Sequence, residues 1–241
     1  MVILKRAEPD NLRRPLSQPS VQLHSSANQV VSTVSTIARE QFNPDYVAKN
    51  PLHTVPIIED GDFILADSHA IITYLVSKYG ANKGETLYPS DLKIRATIDQ
   101  RMYFDSTYLF PRFFELVRPI FRENATTILP EHAARIEEVY GFLEAYLTKS
   151  KYLATDHLTL ADISAVATVS TLDLLVPICD EYPKLKQWYE GLQEQEWFKK
   201  GNTPGMETMD NEIKQRMNST VWNYLGTQYQ DTDIRFVQGT A

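Results

Sequence analysis

The residues of this chain whose types and spacing best suit chemistry lie in one stretch, Asn50-Pro51-Leu52-His53-Thr54-Val55-Pro56-Ile57-Ile58-Glu59-Asp60-Gly61-Asp62-Phe63-Ile64-Leu65-Ala66-Asp67-Ser68-His69-Ala70-Ile71. The stretch reads as a loop, a strand, a tight turn, a second strand and then a helix. A proline at the head of a short buried strand cannot donate to a sheet ladder. A cis Val55–Pro56 bond would leave neighbouring backbone groups open to something else. Asp67 and Ser68 stand where the helix begins, so a carboxylate, a hydroxyl and unpaired backbone N–H groups face one spot. That arrangement suits a small, charged, peptide-like ligand. Alone, Asp67 and Ser68 are common helix starters and His53 is an ordinary loop histidine. Their spacing from Val55-Pro56 is what points to a ligand.

The elements that must position these groups follow from pattern. Asn43-Pro44 opens a short helix, with Asn43 as N-cap and Pro44 at the first helical position. Val55 to Ile58 and Phe63 to Leu65 flank Glu59-Asp60-Gly61-Asp62, and an Asp-Gly turn between apolar runs is a strong hairpin signal. A helix over 68–79 puts Ile71, Ile72, Leu75, Val76 and Tyr79 on one face and stops at Gly80. Residues 81–90 read as a linker. From Asp91 onward the pattern is helical: a long helix toward Val117 with a kink or break at Pro111, an end at Pro119 and the Asn124-Ala125-Thr126-Thr127 segment, and a second amphipathic helix over 131–147. Thr159-Leu160-Ala161-Asp162 reads as a capping box flanked by Leu158 and Ile163 as a hydrophobic staple, and it opens a central buried helix. Another helix starts at Tyr182-Pro183. After Gly205 the chain turns polar and weakly periodic, and its last ten or so residues are expected to fray.

Composition narrows the function classes. The chain has 241 residues, enough for one large or two small domains. A net charge of −7, from 24 basic and 31 acidic side chains, argues against general nucleic-acid binding. The pair Arg13-Arg14 is too short a cluster to change that. No apolar run reaches the roughly eighteen residues of a membrane span, and the N-terminus turns polar before a signal-peptide core forms. The single cysteine, Cys179, sits in an apolar context and allows no disulfide within the chain, which fits a reducing, cytoplasmic location. Asn218-Ser219-Thr220 matches a glycosylation triplet that such a location leaves unused. His24, His53, His69, His132 and His157 lack cysteine partners at ligand spacing, so no metal is expected.

With these residues in place, His53-Thr54-Val55-Pro56 followed by Asp67-Ser68-His69-Ala70-Ile71 resembles the glutathione-binding segment of cytosolic glutathione transferases, most closely the insect delta and epsilon classes. The resemblance spans roughly residues 36–215 and is specific over 50–80. It implies an α/β plus all-α architecture: a thioredoxin-like domain over 1–80 (atypical and possibly incomplete over 1–35), a linker over 81–90, an all-helical substrate-binding domain over 91–220 and a tail over 221–241. It implies conjugation of the co-substrate glutathione to small hydrophobic electrophiles in detoxification, and a homodimer. By the same resemblance, Val55 offers its backbone to the cysteinyl part of glutathione, and Thr54 and Pro56 complete that turn. Asp67, in a slot where Glu is more usual, and Ser68 hold the γ-glutamyl end. His53 lies near the glycyl end, and Gln41 falls where some epsilon enzymes carry a histidine. His69 departs from the arginine often found there. Phe104, Tyr108 and Arg112, at i, i+4 and i+8, face one way, with Phe113, Leu116 and Phe121 as a further apolar wall. They form the expected hydrophobic-substrate set.

The chemistry needs a glutathione thiolate near neutral pH, whereas a free thiol has a pKa of about 8.5. Delta- and epsilon-type enzymes use a serine near the N-terminus, about forty residues ahead of the His-Thr-Val-Pro motif. Counting back from His53 reaches Leu12, and no serine stands there. Ser17 and Ser20 are the nearest candidates. The strand, apolar helix and second strand expected over residues 1–35 are not recognisable, although the length is right. A shifted upstream reading frame and true divergence both account for this. An alternative function therefore stands beside the enzyme: a non-catalytic protein of the same fold that binds glutathione or a hydrophobic ligand.

Overall fold

The computed structural model describes residues 2–6, 29–34 and 38–217. Ser17 and Ser20, Arg13-Arg14, the Asn218-Ser219-Thr220 triplet and the tail over 221–241 lie outside the described residues. The chain divides into two compact units, Met1–Tyr88 and Pro89–Ala241.

The first unit is built on a four-stranded sheet of order β2-β1-β3-β4, with β1 at Val2–Arg6, β2 at Gln29–Thr33, β3 at Ile57–Asp60 and β4 at Phe63–Ala66. β1 pairs parallel with β3, setting Leu4 against Ile58, and antiparallel with β2, setting Leu4 against Val31. A strand–helix–strand unit with neighbouring strands would pair them in parallel, and the antiparallel β1–β2 pairing departs from that. β3 and β4 form the hairpin that the Asp60-Gly61 pattern predicts, and Gly61 takes the left-handed φ of 67° in its turn. Val34, Tyr46 and Ile57 form a buried cluster, with Val55 and Ala66 packed against it.

A 3₁₀ turn, Glu40–Phe42, leads into α1, Pro44–Val47. Helix α2, Ser68–Tyr79, buries Ile71, while Tyr79 at its far end is exposed. Gly80 caps the end of the helix, and only glycine fits there because a Cβ would stand 2.4 Å from the Val76 carbonyl oxygen. Asp60, in the hairpin, ties that end of α2 to the sheet. Its Oδ2 accepts from Tyr74 Oη at 2.8 Å, Lys78 Nζ at 2.7 Å and Tyr79 Oη at 2.5 Å. The span expected as a bare linker instead carries a 3₁₀ turn, Ala81–Lys83, and helix α3, Gly84–Leu87.

The second unit is helical: α4 Leu92–Phe104, α5 Phe110–Arg122, α6 Pro130–Leu147, α7 Leu160–Asp173, α8 Pro183–Gln193, α9 Glu196–Gly201 and α10 Thr203–Arg216. The expected break before Pro111 takes the form of a π-helical turn over Asp105–Leu109. Proline has no N–H to return to the carbonyl four residues back, so the ladder opens just ahead of it. The next helix carries Pro119 inside its last turn and ends at Arg122, just ahead of the Asn124-Ala125-Thr126-Thr127 segment. The polar stretch after Gly205 is also helical: α10 hides Ile213 and exposes most of the rest.

Helix α7 is the centre of this unit. Its capping box forms, with Thr159 N–H donating to Asp162 Oδ2 at 2.9 Å. The fully buried Asp162 carboxylate also accepts from Leu153 N–H at 2.8 Å and Trp188 Nε1 at 2.9 Å. Burial pushes its pKa up, and this ring of donors opposes the shift. Tyr140 donates from α6 to the Val176 carbonyl at 2.9 Å, fixing the chain beyond α7.

Candidate functional site

The β3–β4 register assembles the site. Ile57 pairs with Ala66 at the last rung of the hairpin, so Val55-Pro56 on one strand and Asp67-Ser68 on the other adjoin the same end of the ladder. The Val55–Pro56 bond is cis. Val55 has no hydrogen bond to another described residue, and neither does the Ser68 hydroxyl, while the Ser68 carbonyl belongs to the first turn of α2. The Val55 backbone groups and the Ser68 hydroxyl are therefore without partners among the described residues.

Asp67 is the N-cap of α2. Its Oδ1 accepts from His69 N–H at 2.9 Å and Ala70 N–H at 3.1 Å, and lies 3.4 Å from His69 Nδ1. All of these contacts go to one oxygen, leaving Oδ2 without a described partner on a side chain that is 62% exposed. Capping and ligand binding are thus compatible in one carboxylate. Asp67 also holds φ at 77°, and His53 holds φ at 46°. Non-glycine residues in this left-handed region are uncommon, and such outliers cluster at ligand clamps.

The loop ahead of Val55 is held by two residues that the motif does not single out. Buried Asn50 donates Nδ2 to the Thr54 carbonyl at 2.8 Å and to Thr54 Oγ1 at 3.0 Å, and its Oδ1 accepts from Leu52 N–H at 3.2 Å. Tyr46 donates its hydroxyl to the same Thr54 carbonyl at 2.5 Å. Burial pushes the Tyr46 phenol up, so it remains a donor near neutral pH. The sequence signal for Asn50 is faint: it precedes Pro51 and reads as a helix end. Tyr46 reads only as a core aromatic.

His53 is exposed, and its ring packs on Phe42 with centroids 4.6 Å apart. The Arg39 guanidinium lies 4.9 Å from the Phe42 ring centroid on the same loop. Gln41, in the same 3₁₀ turn as Phe42, is 6% exposed, and its Oε1 has no hydrogen-bond partner among the described residues. A buried carbonyl oxygen without a donor is rare. Here it belongs to a residue singled out in the sequence for binding.

In the helical unit the structure brings only some of the other candidates together. Phe104 and Tyr108 stack with centroids 5.8 Å apart, and Phe142 and Tyr146 meet Phe104 edge-on. Tyr108 is half exposed, so this cluster has an open aromatic face. The π-helical turn separates Phe104 from Arg112, and a straight helical row no longer holds across it. Arg112 pairs with Glu115 at 3.2 Å, and Arg135 reaches the same carboxylate at 3.1 Å. Phe113 packs on Phe110, with centroids 5.6 Å apart. Leu116 is 2% exposed and lies in the core. Phe121 lies under the Arg216 guanidinium, 5.0 Å away. Among the described residues no group of His, Cys, Asp and Glu is placed to hold a metal ion, and no helix is long and apolar enough to cross a membrane.

Comparison with known proteins fits this geometry. The family model of the glutathione S-transferase N-terminal domain matches residues 27–83, and that of the C-terminal domain matches residues 97–196. Glutathione S-transferase 1 of Manduca sexta is 42% identical over 174 residues, covering 71% of this chain and 79% of that protein. An epsilon-class glutathione S-transferase from the housefly, Musca domestica, superposes with a TM-score of 0.73 at 41% identity, covering 76% of this chain and 84% of that one. A glutathione transferase homologue from Drosophila mojavensis, solved with bound glutathione, gives 0.72 at 39% identity, covering 76% and 84%. A carboxylate, a hydroxyl and bare backbone groups brought together by one hairpin, in a chain matched by both domain models, lead to one conclusion: this protein belongs to the glutathione S-transferase family, among relatives of the insect epsilon and delta classes.

Proposed function

We propose that the Val55, Asp67 and Ser68 cluster is where this glutathione-conjugating transferase holds its co-substrate. The observation that carries this reading is the hairpin, which puts the Val55 backbone, without a partner among the described residues, and a helix start with an open Asp67 Oδ2 and Ser68 hydroxyl at the same end of the β3–β4 ladder. The Val55 N–H and carbonyl suit the amide groups flanking the cysteinyl residue. Asp67 Oδ2 suits the γ-glutamyl ammonium, and the Ser68 hydroxyl and N–H suit the γ-glutamyl carboxylate. His53 and Gln41 serve the glycyl end, and Thr54 and Pro56 set the turn. Asn50 and Tyr46 act as positioning residues through the Thr54 carbonyl.

Phe104, Tyr108, Arg112, Phe113, Leu116 and Phe121 are the proposed hydrophobic-substrate set, and the stack of half-exposed Tyr108 on buried Phe104 supports it best. Ser17 and Ser20 remain the candidates for the thiolate-activating hydroxyl. The proposal extends to a homodimer located in the cytoplasm, with small hydrophobic electrophiles as substrates. The acidic balance of the chain supports the absence of nucleic acid among its partners.

Two measurements on the purified chain test the reading. Retention on immobilised glutathione together with conjugation of a chlorodinitrobenzene-type electrophile is expected. Retention without turnover would shift the assignment to a glutathione-binding protein. Absence of both would remove the proposed site.

A further inference from the structure

The helical unit carries a second concave site, formed where the turn after α6 meets one side of α8. It encloses about 640 Å³, within the size range of small-molecule sites. Its lining includes Lys149, Lys151 and Lys184, together with Tyr152, Gln187 and Trp188. No carboxylate lines it among the described residues. That sign is opposite to the net charge of −7 carried by the whole chain.

The three ammonium groups have no ion pair with any described residue. Neighbouring lysines do: Lys186 pairs with Asp180 at 2.7 Å, Lys199 with Glu194 at 2.8 Å and Lys200 with Glu196 at 3.6 Å. Two carboxylates near the cavity lysines, Asp156 and Glu144, are committed to backbone donors. Asp156 Oδ1 accepts from Lys151 N–H at 3.1 Å. Glu144 accepts from Lys184 N–H at 3.1 Å and Leu185 N–H at 2.8 Å, closing the start of α8. The positive character of the cavity therefore comes from side chains and not from a helix end.

The aromatic part of the lining is firm. Trp188 is 5% exposed, and its Nε1 is bonded to the buried Asp162. The Lys151 ammonium lies 5.6 Å from the centroid of the Tyr152 ring. Lysines are compact point charges that suit phosphate oxygens, and three around one hollow suit a ligand with several negative charges. We propose that this cavity binds a small anion carrying a chain of phosphates, as a nucleoside triphosphate or an inorganic polyphosphate does. It is separate from the residues assigned to glutathione and does not depend on that assignment.

The test is calorimetric titration of ATP, inorganic tripolyphosphate and adenosine into the full chain and into a K149Q/K151Q/K184Q variant. The three lysines are exposed and make no ion pairs, so the variant is expected to melt at the wild-type temperature, which a thermal scan checks. ATP and tripolyphosphate are expected to bind, more weakly as salt rises, and the variant is expected to bind them at least about thirtyfold less tightly. Binding of both probes assigns the affinity to the phosphate chain. Binding of ATP alone adds contacts to the base from Tyr152 and Gln187. The proposal is overturned if neither anion binds up to millimolar concentration, if the variant binds them as tightly as the wild type, or if adenosine matches ATP.

Discussion

Asp67 performs two tasks with two oxygens. Oδ1 closes the first turn of α2, and Oδ2 is open. The Ser68 hydroxyl, by contrast, has no hydrogen bond to another described residue, so the proposed division gives it to the ligand and not to the fold. Replacing it tests that division. S68A should raise the KM for glutathione about tenfold, the value of one to two kcal/mol for a lost polar contact, and leave the melting temperature within about one degree. Steady-state kinetics and a thermal scan on one preparation check both halves. Asn50 should behave differently. N50A removes the donor to the Thr54 carbonyl and the acceptor for Leu52 N–H inside a buried loop, so it should lower stability by about 2 kcal/mol as well as raise the KM. Urea unfolding measures the first effect. N50D, which retains the acceptor for Leu52, should recover part of it.

Among the elements, two clamps explain why short segments stay in place. In the first unit, Asp60 gathers Tyr74, Lys78 and Tyr79 onto one oxygen, and the Lys78 ammonium with the two hydroxyls holds its carboxyl well below the usual range. A depressed folded value means that this contribution is fully present above the unfolded carboxylate value of about 4 and is lost as pH falls toward the folded one. The stability difference between wild type and D60N, read from urea unfolding, should therefore be largest near neutral pH and shrink below about pH 4. In the second unit, Asp162 satisfies Leu153, Thr159 and Trp188 at once. D162A strands these buried donors and should cost about 3 kcal/mol or more, seen as a large drop in the urea midpoint. The hairpin, α2 and this capped helix are legible in the sequence because each has a local signature: an Asp-Gly turn, an apolar face and a Thr-x-x-Asp box. The helices over 84–87 and 203–216 are not, because their residues are mostly polar and packing against neighbours, not periodicity, holds them. The π-helical turn is half legible: Pro111 announces a break but not its form.

For the molecule as a whole, the site is legible only as far as its residues are contiguous in the chain. His53 to Pro56 and Asp67-Ser68 are eleven to fifteen residues apart, and one hairpin brings them together. Asn50 and Tyr46 act through a loop carbonyl that no pattern marks. Phe104 to Arg112 form a single row only on a straight helix, and the π-helical turn changes which of them share a face. A second copy of the chain is expected in solution, and light scattering should return a mass twice 27.6 kDa. A mass of 27.6 kDa at micromolar concentration would contradict the proposed homodimer. The central claim is that Asp67 presents a charged oxygen to the γ-glutamyl end of glutathione from the helix start at the same end of the ladder as Val55-Pro56. Calorimetric titration of glutathione into wild type and D67N tests it most directly, because asparagine retains a capping oxygen while removing the charge. The account predicts saturable binding by wild type and an affinity about tenfold or more lower in D67N at an unchanged melting temperature. Equal affinities in the two proteins, or no binding by wild type, would contradict it.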